Sequence, residues 1–324
     1  MKLYLLAVTL FLQTLAFAQD NAALAKNETQ HEERTGQKIV IVTGARFSYK
    51  LVQKWIDEYN KVDRETQIII ESRGSQDPAK FDVLAEVYPQ ESQLASDRNY
   101  VNVGRYVVLP VANAKSQFAQ LFGKKGISAD IVKQVYFHNI FADKDEQKEI
   151  KAPFTVYTRL QKAGVPIVFS KHFGFEQKDI NGKAIAGSDE HLLKALLRDS
   201  TGISYLPSPL AYDVATGKPV DGITILPVDL DGNGKVSDEE RIFDDLNVLI
   251  TKLEAFSSKE VKGLPVEYLH LSLAGKSVSP EAQAFVQWVK ENGHTYLHEF
   301  GYLNVDSSKQ GLGKADNLRS SKGN

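Results

Sequence analysis

Residues 38–61 read KIVIVTGARFSYKLVQKWIDEYNK. The first five are a β-branched run that favours a strand, bounded by Thr43 and Gly44. Leu51, Trp55 and Tyr59 then recur at i, i+4 and i+8, the spacing of a single buried stripe on a helix. A strand that hands the chain to a helix through a short glycine-containing loop is the building unit of an α/β fold.

The alternation continues outward from this unit. Residues 67–71 (QIIIE) predict a strand, as do 106–112 (YVVLPVA), where Pro110 suits a sheet edge or a crossover. Ile127, Ile131 and Val135 mark a helix, 154–157 a strand, 192–197 a helix and 203–206 a strand. Further strands are expected at 223–228 and 266–271, and Ala282, Phe285, Val286 and Val289 form a last amphipathic helix. The fold class is therefore α/β, with mainly parallel sheets flanked by helices. The chain of 324 residues is long enough for two domains of ordinary size. In such sheets ligands bind where the carboxyl ends of strands meet helix N-termini, so function is sought in the loops that follow strands.

The two ends have a different character. After Lys2, residues 3–17 are mostly apolar, and Ala16-Phe17-Ala18 places small residues on both sides of Phe17. This is the pattern of a secretory signal peptide, residues 1–18, cleaved after Ala18, so a periplasmic or secreted protein is expected. The apolar run is short for spanning ~30 Å of hydrocarbon. Residues 19–37 and 306–324 are polar and are expected to be a flexible leader and a disordered tail. With no cysteine, the chain has neither a lipid attachment point at the cleavage site nor disulfides to support its core. A formal net charge of −2 lacks the basic footprint that nucleic-acid binding requires.

Residues 229–240, DLDGNGKVSDEE, fit a twelve-residue calcium loop throughout. Asp229, Asp231 and Asn233 stand at positions 1, 3 and 5, and Gly234 at position 6, where the chain turns sharply. Lys235 at position 7 contributes its backbone carbonyl, Ser237 at position 9 acts through water, and Glu240 at position 12 binds with both oxygens. Phe243, Leu246, Ile250 and Leu253 predict an exiting helix, whereas a strand precedes the loop, so this is half of a helix-loop-helix hand. Calcium is the expected cofactor, as a structural clamp: there is one loop, and the single methionine is the initiator, so a Met-rich sensor groove is absent.

Three loops after strands carry arginine and small polar residues: Arg46 and Ser48 in the first, Ser72, Arg73 and Ser75 in the second, Arg159 and Gly164 in the third. Helix N-termini favour anions, and arginine adds bidentate donors for an oxyanion.

These segments resemble the periplasmic phosphate-binding proteins of ABC transporters, which have a type 2 periplasmic-binding fold. Thr43-Gly44-Ala45, Phe47 and 54–59 (KWIDEY) resemble that family's first strand and helix, and 106–113 (YVVLPVAN) its crossover. Residues 155–169 (TVYTRLQKAGVPIVF) resemble its R-x-x-G-S-G-T-x-x-x-F ligand segment, and 199–207 (DSTGISYLP) its D-x-x-A-I-G-Y strand. The resemblance implies that the Phe47 backbone amide, Arg159 and Gly164 face the ligand. Arg46 replaces a threonine of the family, and Ala163 and Val165 replace the serine and threonine of S-G-T. Ser72 or Ser75 would supply a second-loop serine, and Asp82 and Glu86 lie nearest the family's proton-accepting aspartate. By composition 165–169 reads as a strand; the resemblance makes it the start of a helix, with Pro166 tolerated in the first turn.

The resemblance implies two lobes, 38–112 with 213–305 and 113–212, closing by a hinge on a phosphate-like oxyanion and presenting it to an ABC transporter permease, the protein itself a monomer. The calcium loop would brace the returning segment away from the cleft. The alternative is a protein of the same fold that has lost its ligand and acts in interaction or sensing. No nucleophile elbow, zinc-protease motif or P-loop occurs, and an enzyme is not expected. His294 and His298, at i and i+4, lack a third metal ligand nearby and are read as the end of the last helix.

Overall fold

The computed structural model describes residues 38–71, 80–88, 99–137, 150–256, 261–273, 278–306 and 312–314. The segment read as a signal peptide, the leader, and Ser72, Arg73 and Ser75 lie outside these residues.

The elements follow in the order β1 (Lys38–Gly44), α1 (Tyr49–Tyr59), β2 (Thr66–Ile70), β3 (Val83–Glu86), β4 (Asn99–Asn113), α2 (Gln117–Lys125), α3 (Ala129–Tyr136), β5 (Thr155–Arg159), α4 (Gly164–His172), β6 (Lys183–Ile185), α5 (Asp189–Arg198), β7 (Gly202–Pro207), α6 (Ser208–Ala211), β8 (Tyr212–Asp213), β9 (Lys218–Pro219), β10 (Ile223–Ile225), α7 (Leu246–Ala255), β11 (Val266–Leu273), α8 (Pro280–Asn292) and β12 (Leu312–Lys314). The main sheet runs β2-β1-β3-β11-β4-β7-β5-β6. β1 pairs parallel with β2 and β3, and β5 pairs parallel with β6 and β7. The two halves meet on β4, which is antiparallel to β11 on one side and to β7 on the other.

β4 is the strand that makes two lobes out of one chain. Tyr100 to Val107 pairs with β11 in the first lobe, while Val108 to Ala112 pairs with β7 in the second. Pro110 falls between the last β11 pairing at Val107 and the first β10 pairing at Val111. A residue without an N–H is tolerated where the neighbouring strand on one side changes. The sequence reading places 213–305 in the first lobe; within that range β10 is hydrogen-bonded to the half of β4 that also carries β7. β12, inside the tail expected to be disordered, pairs with β4 at 99–101, because β4 offers an edge opposite β11 there.

The stripe read from the sequence is the one α1 buries. Leu51 and Trp55 are fully buried, and the Trp55 indole donates to the Gly293 carbonyl at 3.0 Å. This bond ties the first helix to the turn after α8. α4 is a helix, as the resemblance implies, and Val165 to Ser170 are all buried. No helix among the described residues is long and apolar enough to cross a membrane.

Candidate ligand cleft and calcium loop

A cleft of about 440 Å³ separates the lobes. The first lobe contributes Gly44 to Phe47 and the end of β3; the second contributes Arg159, Gln161 to Val165, and Gly187 to Asp189. Gly44 has φ +133°, and its α-carbon lies so close to the Ala85 carbonyl that no β-carbon fits there. Only glycine lets β1 and β3 approach this way, and Ala45 N–H then donates to Ala85 O at 2.9 Å, fixing the loop. Phe47 lines the cleft with its ring anchored behind, 5.3 Å from Tyr106 and 6.5 Å from Tyr302. Arg46 is exposed at the same edge. Ser48 does not line it: the side chain is fully buried, and its Oγ donates to Ala45 O at 2.7 Å.

Arg159, at the end of β5, reaches the cleft with its guanidinium largely buried. Its Nη1 lies 2.9 Å from Asp189 Oδ1. Its Nε is buried and has no hydrogen-bond partner among the described residues. Asp189 opens α5, where a carboxylate also meets the positive end of the helix dipole. Burial pushes the Asp189 carboxyl above its ordinary value, against the opposing pull of Arg159. Sequence reasoning missed Asp189: the only local signal, Ser188-Asp189-Glu190 ahead of an apolar repeat, marks a helix start and nothing more.

Several amides that could face an anion are already taken. Ala163 N–H donates to Gln177 Oε1 at 3.1 Å, Gly187 N–H to Gln161 Oε1 at 3.1 Å, and Ser188 N–H to His191 Nδ1 at 3.2 Å. Ala163 and Val165 have no side-chain donors. Gly164 stands where the lobes touch, since a β-carbon on it would lie 2.5 Å from Val87 Cγ2. Of the two acidic candidates near β3, Asp82 accepts the Ile41 amide at 2.8 Å and is a brace for β1, whereas Glu86 lines the cleft and accepts a hydrogen bond from Ser272.

The loop expected to hold calcium, residues 229–240, sits elsewhere. One carboxylate oxygen each from Asp229, Asp231 and Glu240 lies within 4.8 Å of the others. Asp229 and Glu240 are buried, and all four of their carboxylate oxygens accept backbone amides of the same loop: Gly232, Asn233 and Gly234 on Asp229, and Leu230, Asp231 and Ser237 on Glu240. Three carboxylates this close could share one hard cation. Asn233 Oδ1 accepts the Lys235 amide at 3.0 Å, and Ser237 caps a single 3₁₀ turn, Asp238–Glu240. The exiting helix does not follow directly, as the sequence reading has it. α7 starts at Leu246, because Asp245 accepts the Asn247 and Val248 amides and caps the helix there.

The loop is clamped between two parts of the chain. Ile127 N–H donates to Pro227 O at 2.8 Å and Asp229 N–H to Ile127 O at 3.0 Å, while Arg241 donates to the carbonyls of Gly123 and Lys124. On the other side Lys262 N–H donates to Leu230 O at 2.7 Å. His298 binds Glu254 at 3.0 Å, and neither it nor His294 joins a metal-type cluster among the described residues.

The chain has the two-lobed periplasmic-binding-protein-like fold. It is similar in structure to a phosphate ABC transporter substrate-binding protein from Clostridium perfringens, solved with bound phosphate: TM-score 0.60 and 14% identity, over 83% of this chain and 100% of that one. An ABC-type phosphate transport receptor from Vibrio cholerae superposes with a TM-score of 0.55 at 11% identity, over 83% of this chain and 100% of that one. A full-length BenM mutant superposes with a TM-score of 0.50 at 10% identity, over 90% of this chain and 79% of that one. No family model and no curated protein matches the sequence.

Proposed function

We propose that this chain is an extracytoplasmic solute-binding protein that closes its lobes on a small phosphate-like oxyanion and hands it to an ABC transporter permease, without catalysis and as a monomer. The observation that carries the reading is Arg159: a buried guanidinium at the meeting of the lobes, with a buried Nε–H that has no acceptor among the described residues. A buried donor left without a partner costs about 1–3 kcal/mol, and an oxyanion in the cleft would satisfy it. Gly164 at the start of α4 and Arg46 on the facing lobe add positive potential to the same space. The fold's occurrence in the two phosphate receptors supports the reading as an analogy of architecture, not of site. Calcium, in this proposal, is held by Asp229, Asp231, Asn233, Glu240, the Lys235 carbonyl and Ser237 through water, and clamps the returning segment where a secreted chain without cysteine has no disulfide.

Isothermal calorimetry with phosphate, sulfate and arsenate tests the reading. Saturable binding of at least one anion, lost in Arg159→Ala, is the expected result; heats indistinguishable from dilution for all of them overturn it. One observation favours a second reading, a protein of the same fold that has no ligand and serves in interaction or sensing. Asp189 already supplies Arg159 with a carboxylate, as an anion would. That reading is adopted if no anion binds.

A further inference from the structure

A second chamber opens from the cleft, within the second lobe. It measures about 740 Å³ and shares Tyr88, Arg159 and Lys162 with the cleft. Its floor is partly apolar, from Ile167 and Ile180, and among the described residues its wall carries Lys162, Lys171 and Lys178 against a single acidic residue, Glu176. Glu176 is engaged by Lys178 at 2.9 Å. Tyr88, from the first lobe, reaches across to this wall: Lys171 donates to its hydroxyl and lies 4.7 Å from the centre of its ring.

Size and charge point the same way. A free tetrahedral oxyanion fills roughly the space of two or three waters, at ~30 Å³ each, far below what the cleft and chamber offer together. Cavities of several hundred Å³ are the size that encloses organic ligands. In the cleft itself the charge of Arg159 is offset by Asp189. The chamber keeps an excess of lysine over carboxylate among the described residues, and so extends the attraction for negative charge beyond Arg159.

We infer that the ligand is an organic dianion rather than a bare oxyanion: an oxyanion head at Arg159, a short carbon body passing beneath Tyr88 along Ile167, and a second anionic group facing Lys162, Lys171 and Lys178. The inference rests on the oxyanion reading of the cleft and extends it to the ligand's class.

Competition and direct calorimetry with inorganic phosphate, phenyl phosphate and 3-phosphoglycerate test it on the full chain, the last being a probe with one anionic group at each end. The expected order is 3-phosphoglycerate tightest, by about tenfold over phosphate, the worth of one charge-assisted hydrogen bond. Ala184→Trp fills the chamber from an exposed position on β6, and Lys178→Glu reverses one of its charges. Both are expected to erase the preference for 3-phosphoglycerate over phosphate. Equal or tighter binding of phosphate by the unmodified protein overturns the inference and leaves the oxyanion reading standing. So does a preference that survives both variants. Failure of every anion to bind removes the oxyanion reading, and the dianion with it.

Discussion

Arg159 and Asp189 face each other across 2.9 Å, the guanidinium carried by the end of a strand and the carboxylate by the first turn of a helix. Both are more than four-fifths buried at the side chain, at 13% and 11% exposure, so neither is well screened by water. The pair sits where the ligand is proposed to bind, and its partners are not equivalent.

Arg159→Ala leaves the Asp189 carboxyl buried without a cation, which is expected to cost about 3–5 kcal/mol at neutral pH. Burial already raises this carboxyl in the intact protein, and loss of Arg159 raises it further. A folded-state value above the unfolded one favours the protonated native state. The deficit is therefore smallest below the unfolded carboxylate range near pH 3.9 and grows as pH rises through the folded value. Urea melts at pH 4 and pH 7 measure the difference; equal deficits at both would rule out an uncompensated charge.

Asp189→Asn removes the internal competitor and keeps a side chain of the same shape. Anion affinity is expected to rise several-fold, because Arg159 no longer has to leave a carboxylate to meet the ligand. Calorimetry with phosphate reads this directly, and weaker binding would show that Asp189 touches the ligand as an acceptor instead.

Gly164→Val acts on closure. Its β-carbon would meet Val87 Cγ2 at 2.5 Å and the Tyr88 β-carbon at 3.3 Å, across the lobe boundary. Both neighbours belong to the opposite lobe, so opening the hinge relieves the strain. Small-angle scattering is expected to show a larger radius of gyration and loss of any ligand-induced compaction, with the melting temperature within a few degrees of the parent. A parent-like radius would mean that Val87 yields instead.

Calcium is expected to raise the melting temperature of the full chain, with ~2.7 kcal/mol of stabilisation at one hundred times the dissociation constant. The readout is the calcium-dependent increment in Glu240→Gln and Asp229→Asn, because both carboxylates also hold the loop's own amides. An increment unchanged in both variants would place the ion elsewhere.

Asp199 provides the acid limb. It accepts from the Thr201 amide and hydroxyl and from the Tyr157 hydroxyl, and these bonds hold its carboxyl below the usual range. The stability it adds is present above the unfolded value near pH 3.9 and is lost as pH falls through the lowered folded value. Asp199→Ala is expected to cost about 1 kcal/mol at pH 7, after discounting for solvent screening, and progressively less towards pH 2. A deficit constant over that range would assign the effect to packing.

Where local pattern and burial agree, the sequence is readable. Leu51, Trp55 and Tyr59 form a one-sided stripe, and α1 buries that stripe. α4 is readable only through the resemblance, because Val165 to Ser170 are buried on all sides and such a helix shows no period. β4 is legible only at 106–112, since Asn102 and Arg105 interrupt the apolar run; Arg105 is accommodated by Asp306 at 2.8 Å, a partner distant in sequence. Arg46, Phe47, Arg159 and Gly164 line one cleft, Ser48 turns away, and Asp189 has no signal beyond a helix start.

Residue pattern alone is enough for the alternation of strands and helices and for the spacing of oxygen donors from Asp229 to Glu240. Both are local properties, written in periodicity and in the turns a short loop has to make. Three further features come only with the folded chain: one strand, β4, serves both lobes, Asp189 meets Arg159, and Tyr88 crosses to Lys171. These contacts depend on sheet order and on the approach of segments far apart in the chain, which local propensity does not encode.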